Sequence, residues 1–173
     1  RWTHDERFRA GVHLLRALSD GASIGRFLAD IAELGVAATL DRTQAVFAER
    51  HGTFGGPRFA ILGMGKLAGR EMSPGSDLDL VMIYELDDLY ALSDNDEKPL
   101  ASPTYHLRLT QRMVAAITAK TAEGALYEID MRLRPSGSTG PLAVSIEAFE
   151  RYQRQEAWTW EHMALTRARV LYG

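Results

Sequence analysis

Hydrophobic positions recur at three- and four-residue spacing through the first part of the chain, from about residue 8 to residue 47. Such spacing places apolar side chains along one side of a helix, so residues 1–50 are predicted to be helical. A glycine-rich run at residues 51–57 then interrupts the pattern and is typical of a break between elements. We therefore predict a helical lead-in over residues 1–52, followed by an α/β unit over residues 53–173.

Apolar stretches beyond this break have the length and content of strands. Residues 58–62 run into a glycine turn, and residues 77–84 open with two aspartates before an apolar, partly β-branched run. Residues 125–134 alternate apolar and charged side chains, which predicts a strand with one face on the core and one on a polar cleft. An amphipathic helix is also predicted over residues 103–123, and two closing helices over residues 145–156 and 158–170. Trp158 and Trp160 of the last helix are expected in the core.

Composition narrows the possible functions. The chain has 173 residues, with 20 Lys and Arg against 23 Asp and Glu, and this balance argues against a nucleic-acid binder that relies on bulk positive charge. Cysteine is absent, which excludes disulfides, thiol chemistry and zinc fingers. No apolar run approaches a membrane span and no secretory leader is visible, so a cytoplasmic protein is expected. Since the chain begins with Arg1 rather than Met, we expect a fragment of a longer polypeptide.

The candidate chemistry lies in three aspartates. Asp77 and Asp79 are two residues apart, so on an extended strand both carboxylates point to the same face. Crowded carboxylates repel each other, and a fold tolerates them mainly when a cation lies between them. Asp130, on the predicted strand 125–134, supplies a third. Three carboxylates on two strands suit magnesium-dependent phosphoryl or nucleotidyl transfer, although such an Asp-x-Asp pair is more often a solvated strand end.

A glycine turn and several cations accompany these aspartates. The turn at Gly63 and Gly65 would let backbone N–H groups approach a phosphate closely. Lys66, Arg132 and Arg134 could offset the charge of a triphosphate and of a pentavalent transition state. The turn is not a Walker loop, because the required spacing and the hydroxyl residue after the lysine are missing. The alternative for the two arginines is structural, an ion pair with a neighbouring carboxylate such as that of Asp130 or Glu128.

Three blocks of sequence together resemble the glutamine synthetase adenylyltransferases, within the polymerase-β-type nucleotidyltransferase superfamily. The blocks are residues 63–80, 127–137 and 158–169. The resemblance implies an α/β (α+β) fold with a mixed sheet, flanking helices and a helical N-terminal extension, and it makes residues 53–173 a catalytic unit. It also implies a site in which Asp77, Asp79 and Asp130 hold Mg²⁺ and act in catalysis. The implied contacts to ATP come from Gly63, Gly65, Lys66, Ser76, Arg132 and Arg134.

The implied reaction transfers AMP from ATP to a tyrosine hydroxyl of glutamine synthetase and so regulates nitrogen assimilation. Leu78 between the aspartates, together with Ser136, resembles the adenylylating unit of these multifunctional enzymes more than the AMP-removing unit. The alternatives are removal of AMP by phosphorolysis, or a degenerate module that only binds nucleotide or the partner. Glutamine synthetase is the expected partner, with a nitrogen-signalling regulatory protein acting through regions outside this chain. The chain departs from the superfamily at Lys66, where serine or glycine is usual.

Overall fold

A helical N-terminal part precedes the sheet in the computed structural model, which describes residues 1–55, 59–85, 88 and 90–173. Helix α1 spans Trp2–Leu15 and helix α2 spans Gly21–His51. The Asp20 carboxylate caps α2 by accepting a hydrogen bond from the backbone N–H of Ser23 at 2.8 Å. Helix α2 ends at Gly52, whose φ of 70° suits glycine. The predicted helical character of residues 1–50 is therefore confirmed, while residues 56–58 of the predicted break and strand lie outside the described residues.

The described strands form one mixed sheet. They are β1 (Phe59–Gly63), β2 (Leu78–Tyr84), β3 (Ile129–Asp130), β4 (Ala143–Ser145) and β5 (Arg169–Tyr172). The order is β3-β2-β1-β5, and β4 pairs with β2 beyond the end of β3. Strand β1 is antiparallel to both β2 and β5, whereas β2 is parallel to both β3 and β4. The α/β class, the mixed sheet and the flanking helices expected from the sequence are confirmed.

The remaining helices flank this sheet. They are α3 (Gly65–Ala68), α4 (Ser102–Thr118), α5 (Ile146–Gln155) and α6 (Thr159–Leu165). A 3₁₀ turn at Gly137–Thr139 precedes β4. Within the described ranges, no helix combines the length and the apolar character that crossing a membrane would require.

Packing on both faces of the sheet explains why β2 is apolar along its length. On one face, Leu28 and Leu40 of α2 and Met113 of α4 join a single core with side chains of β1 and β2. On the other face, Val81 of β2 packs with Met64 and with the partly buried side chains of α5 and α6. A strand buried on both sides reads as a continuous hydrophobic run rather than an alternating one.

Three predicted elements differ from the structure. The predicted strand 125–134 pairs only at residues 129–130, because the chain turns afterwards and the Arg134 N–H donates to the Met131 carbonyl at 3.2 Å. The predicted helix 158–170 ends at Leu165, and residues 169–172 instead pair with β1. The predicted helix 103–123 ends at Thr118.

The expected burial of the two tryptophans is also wrong. Trp158 is 72% exposed and Trp160 is 55% exposed. Helix α6 turns Ala164 and Leu165 toward the sheet instead, and these smaller side chains make the packing contacts. Trp158 precedes α6 as its N-cap, and Trp160 lies on a side of the helix that faces away from this packing.

Candidate active site

Two strands carry the candidate carboxylates side by side. Asp79 of β2 is paired with Asp130 of β3 in the parallel ladder, and the Leu78 N–H donates to the Glu128 carbonyl at 2.9 Å. Neighbouring strands lie about 4.8 Å apart, and paired residues project to the same face. Asp77 comes two residues before Asp79 and is exposed. The structure therefore brings the two predicted strand positions together.

The electrostatic surroundings of Asp79 reflect this crowding. Burial of the carboxyl raises its pKa above the ordinary value, and the negative charges of Asp77 and Asp130 raise it further. The positive charges of Arg132 and Lys66 act in the opposite direction. These interactions place all three aspartates and two of the predicted cations within one electrostatic cluster. A carboxylate with a raised pKa beside other carboxylates is a common feature of functional sites.

Asp130 is held by Arg132. The Arg132 Nε–H donates to both carboxylate oxygens, at 3.0 and 2.8 Å, its Nη2–H donates to Oδ2, and its backbone N–H donates to Oδ1 at 2.8 Å. These hydrogen bonds lower the pKa of Asp130. The Arg132 side chain is 80% exposed and that of Asp130 is 15% exposed. The ion pair considered above as the structural alternative for Arg132 is therefore present.

The glycine turn lies against the same cluster. The Met64 N–H donates to the Asp79 carbonyl at 2.9 Å, and Gly65 follows with a φ of 53°. A Cβ at Gly65 would lie only 2.5 Å from Oδ2 of Asp79. Gly63 has a different constraint, because a Cβ there would meet the side chain of Leu171 at 2.8 Å. The turn thus presents Gly65 and the exposed Lys66 to the aspartates, whereas Gly63 serves the packing of β5.

Ser76 and Arg134, which were also predicted to contact the nucleotide, form hydrogen bonds within the protein. The buried hydroxyl of Ser76 accepts a hydrogen bond from the Ser73 N–H at 2.9 Å and so closes the turn before Asp77. Arg134 is 7% exposed, and its guanidinium donates to the carbonyls of Met131, Ser138 and Gly140. Contacts from Ser76 and Arg134 to a nucleotide stay predictions.

The chemistry of this donor set suits a divalent cation that prefers oxygen ligands. Three carboxylates lie beside the start of β2, and burial together with the charges of Asp77 and Asp130 raises the pKa of Asp79. Within the described part of the chain, no group of three or more His, Cys, Asp or Glu side chains could hold a metal ion as it stands. Arg132 supplies the positive charge at Asp130 instead. The residues therefore fit a divalent cation by their chemistry, with Arg132 as its competitor for Asp130.

Two arginines that the sequence did not single out for this region also contact the site or its supports. Arg7 of α1 reaches the loops that precede β2 and β3. Arg169 of β5 forms an ion pair with Glu33 of α2 and donates to the Ala68 carbonyl at 3.3 Å. These contacts join residues about 70 to 140 positions apart in the sequence. Patterns of neighbouring residues therefore cannot predict them.

Comparisons with known proteins agree on one family. The family model described as Glutamate-ammonia ligase adenylyltransferase matches residues 1–173. Proteins from Mesorhizobium japonicum and Brucella suis, each named a bifunctional glutamine synthetase adenylyltransferase/adenylyl-removing enzyme, are 53% and 52% identical over 169 residues. A protein of the same name from Rhizobium meliloti is also 52% identical. These matches cover 98% of this chain but only 17% of each relative. The chain belongs to the glutamate-ammonia ligase adenylyltransferase family.

Proposed function

We propose that this chain is a catalytic unit that transfers AMP from ATP to a tyrosine hydroxyl of glutamine synthetase. The observation that carries the proposal is the pairing of Asp79 with Asp130 on adjacent strands, with Asp77 two residues away. Membership of the family and the names of the relatives support the choice of substrate. Because the chain spans 17% of the length of those relatives, the activity is proposed for the natural polypeptide that contains it.

The reaction requires an in-line displacement at the α-phosphorus of ATP. The tyrosine oxygen forms a bond to this phosphorus and loses its proton to solvent water, while the bond to the pyrophosphate oxygen breaks and pyrophosphate leaves. Asp77, Asp79 and Asp130 would hold Mg²⁺, which when bound offsets the triphosphate charge and favours the deprotonated form of the attacking hydroxyl.

The cations of the cluster have complementary tasks in this proposal. Lys66 is exposed at the glycine turn and acts on Asp79 through its charge. Arg132 is largely exposed beyond Asp130, so a rotation of its side chain would bring the guanidinium to a phosphate oxygen. Both would stabilise negative charge that develops on the transferred phosphoryl group and on the departing pyrophosphate. Contacts of Gly63 and Gly65 with phosphate belong to the same proposal.

Removal of AMP is the second candidate, because the relatives are named for both activities. Phosphorolysis is a related displacement at the same α-phosphorus, in which inorganic phosphate attacks, the tyrosine oxygen leaves and ADP is formed, so the same carboxylates would serve it. The resemblance of Leu78 and Ser136 to the adenylylating unit favours the forward direction. For either direction we propose a cytoplasmic protein that regulates nitrogen assimilation. Contact with a nitrogen-signalling protein is proposed through regions outside this chain.

The test measures AMP transfer by the natural polypeptide. The protein is incubated with ATP, Mg²⁺ and unmodified glutamine synthetase, and separately with phosphate and adenylylated synthetase, and the mass of the synthetase subunit is followed. We expect AMP addition in the first reaction, and we expect Asp77→Asn to lower its rate by about 100-fold or more, since a group acting on transition-state charge is lost.

Asp96→Asn is the matched control, because it makes the same chemical change at an exposed carboxylate in the segment between β2 and α4. Its transfer rate should stay within about twofold of the unsubstituted protein. Undiminished transfer by Asp77→Asn would contradict the proposed mechanism. Loss of only the phosphate reaction in Asp77→Asn would assign the chain to AMP removal, and nucleotide binding by the chain with neither reaction changed in Asp77→Asn would indicate a degenerate module.

A further inference from the structure

Arg7 of α1 connects two segments that are distant in sequence. Its Nη1–H donates to the Leu126 carbonyl at 3.0 Å, and its Nη2–H donates to the Pro74 carbonyl at 2.6 Å. The guanidinium also lies over the ring of Tyr127, 4.7 Å from the ring centroid. Tyr127 is only 4% exposed, so this stacking partner is itself fixed in the core. The Arg7 side chain of the helical lead-in thus makes two hydrogen bonds and one cation–π contact.

The two carbonyls belong to the segments that lead into the carboxylate strands. Pro74 lies three residues before Asp77, and Leu126 lies four residues before Asp130. Beyond these carbonyls the two segments meet in the hydrogen bond from the Leu78 N–H to the Glu128 carbonyl. Arg7, Asp77 and Glu128 line a common polar cavity of about 550 Å³. The arginine therefore spans the gap between the segments on the side from which both strands start.

Strand β3 is held by core packing of Tyr127 and Met131 on either side of it and by a short backbone ladder. Its ladder with β2 contains only the pairs Leu78–Ile129 and Asp79–Asp130, after which the chain turns away. Since so short a ladder contributes few hydrogen bonds, contacts outside it must set where Asp130 stands relative to Asp79. The planar fork of an arginine is suited to this task, because its two donors have a fixed spacing.

We propose that Arg7 is a positioning residue for AMP transfer: it bridges the segments before β2 and β3 and thereby fixes the separation of Asp77 and Asp79 from Asp130. The inference rests on the proposed function for the identity of the reaction. It adds that the helical lead-in is part of the catalytic arrangement, since α1 supplies the bridge. Arg7 touches neither the substrate nor the reacting atoms in this role and acts through the three carboxylates.

The experiment compares Arg7→Ala and Arg7→Lys with Arg9→Ala in the natural polypeptide. Arg9 is on the same helix but contacts Glu6 and the ring of Phe27, away from both loops. Binding of Mn²⁺ in the presence of ATP is measured by calorimetry, alongside kcat and KM for ATP. We expect Arg7→Ala to weaken Mn²⁺ binding and to lower kcat by about tenfold each, with KM for ATP changed less than threefold. Arg7→Lys should be intermediate, because lysine cannot reproduce the fork, and Arg9→Ala should match the unsubstituted protein within twofold.

A double-variant comparison separates positioning from general stabilisation. If Arg7 acts through Asp130, Arg7→Ala in an Asp130→Asn background should change Mn²⁺ binding less than twofold, because the two substitutions remove the same contribution. An undiminished tenfold effect in that background, or Mn²⁺ binding by both Arg7 variants equal to that of Arg9→Ala, would overturn the proposal. Arg7→Lys keeps the test decisive if Arg7→Ala fails to fold. Failure of the proposed function would be visible separately, as AMP transfer that Asp77→Asn leaves undiminished.

Discussion

Gly65 shows how closely the backbone approaches the candidate carboxylates. Its φ of 53° is in the left-handed region, which is unfavourable for residues that carry a Cβ. A Cβ at this position would also lie 2.5 Å from Oδ2 of Asp79, well inside van der Waals contact. The conformation therefore favours glycine here, and a Cβ would force the Asp79 carboxylate to move. The contact is with the carboxylate end of the aspartate, so a substitution acts on the position of this candidate site group as well as on stability.

Gly65→Ala should consequently lower both activity and stability. We expect AMP transfer to fall by about 10- to 100-fold, since displacement of a catalytic group by about 1 Å can have this effect. The free energy of unfolding should fall by about 1–2 kcal/mol from backbone strain. Transfer assays and urea denaturation measure the two effects.

Gly21→Ala is the control for this substitution. Gly21 begins α2, and a Cβ there meets no heavy atom within 4 Å. Its activity should stay within about twofold, and its unfolding free energy within about 0.5 kcal/mol, of the unsubstituted protein. Full activity in Gly65→Ala would show that the turn does not position Asp79.

At the scale of elements, Arg169 fastens the last strand to two helices. Its guanidinium pairs with both carboxylate oxygens of Glu33 on α2, one of them at 3.0 Å. It also donates to the carbonyls of Ala68 and Leu67 at 3.3 and 3.4 Å, at the end of α3. Because α3 follows the glycine turn, these hydrogen bonds to α3 also stabilise the position of the turn. The pair is only partly exposed, with 34% of the Arg169 side chain and 22% of the Glu33 side chain accessible.

Arg169→Ala should destabilise the fold by about 1–3 kcal/mol, because charged hydrogen bonds to a partly buried carboxylate and to carbonyls are lost together. Arg167→Ala is the matched control, since Arg167 forms an ion pair with Glu71 in which both side chains are at least half exposed. Such an exposed pair contributes at most about 1 kcal/mol. Urea denaturation of both variants provides the comparison, and equal losses would refute the role given to Arg169.

The elements that the sequence predicted well are those whose patterns are local. Helix α2 has a side-chain cap at Asp20 and a terminal glycine, and β2 has an apolar run, so both follow from neighbouring residues. Strand β5 does not, because residues 169–172 are extended only by pairing with β1, more than 100 positions earlier. The charged alternation of 125–134 was likewise misleading, since Arg134 satisfies its donors with carbonyls of the following turn. Tertiary contacts override local preference at such places.

The same distinction applies to the site. The Asp77–Asp79 pair follows from a two-residue spacing, and Asp130 follows from its place on a later strand and from the family resemblance. The adjacency of Asp79 and Asp130 depends on strand register, which only the folded sheet specifies. The bridge formed by Arg7 has no local signal, because its acceptors are backbone carbonyls that any residue would supply.

For the molecule as a whole, the core runs across the boundary predicted at residue 52. Leu28, Ile31 and Leu40 of α2 are buried in the same cluster as Ile61 of β1 and Leu80 of β2. Helix α2 therefore covers one face of the sheet that carries the carboxylates. The division into a lead-in and a catalytic unit stays a prediction about organisation, but the packing has a consequence that can be measured.

We expect residues 53–173 alone to lack a cooperative unfolding transition, because removal of α2 exposes an apolar face of the sheet to water. Within the 173-residue chain, Leu40→Ala should cost about 2–5 kcal/mol, as for other fully buried leucines. Leu34→Ala on the same helix is the control; Leu34 is 58% exposed, so its replacement should cost less than about 1 kcal/mol. Calorimetry of the shortened chain and urea denaturation of the two variants measure these effects. Cooperative unfolding of residues 53–173 would mean that the sheet is stable without α2, and the lead-in would then be a separable addition rather than a layer that the sheet needs in order to fold.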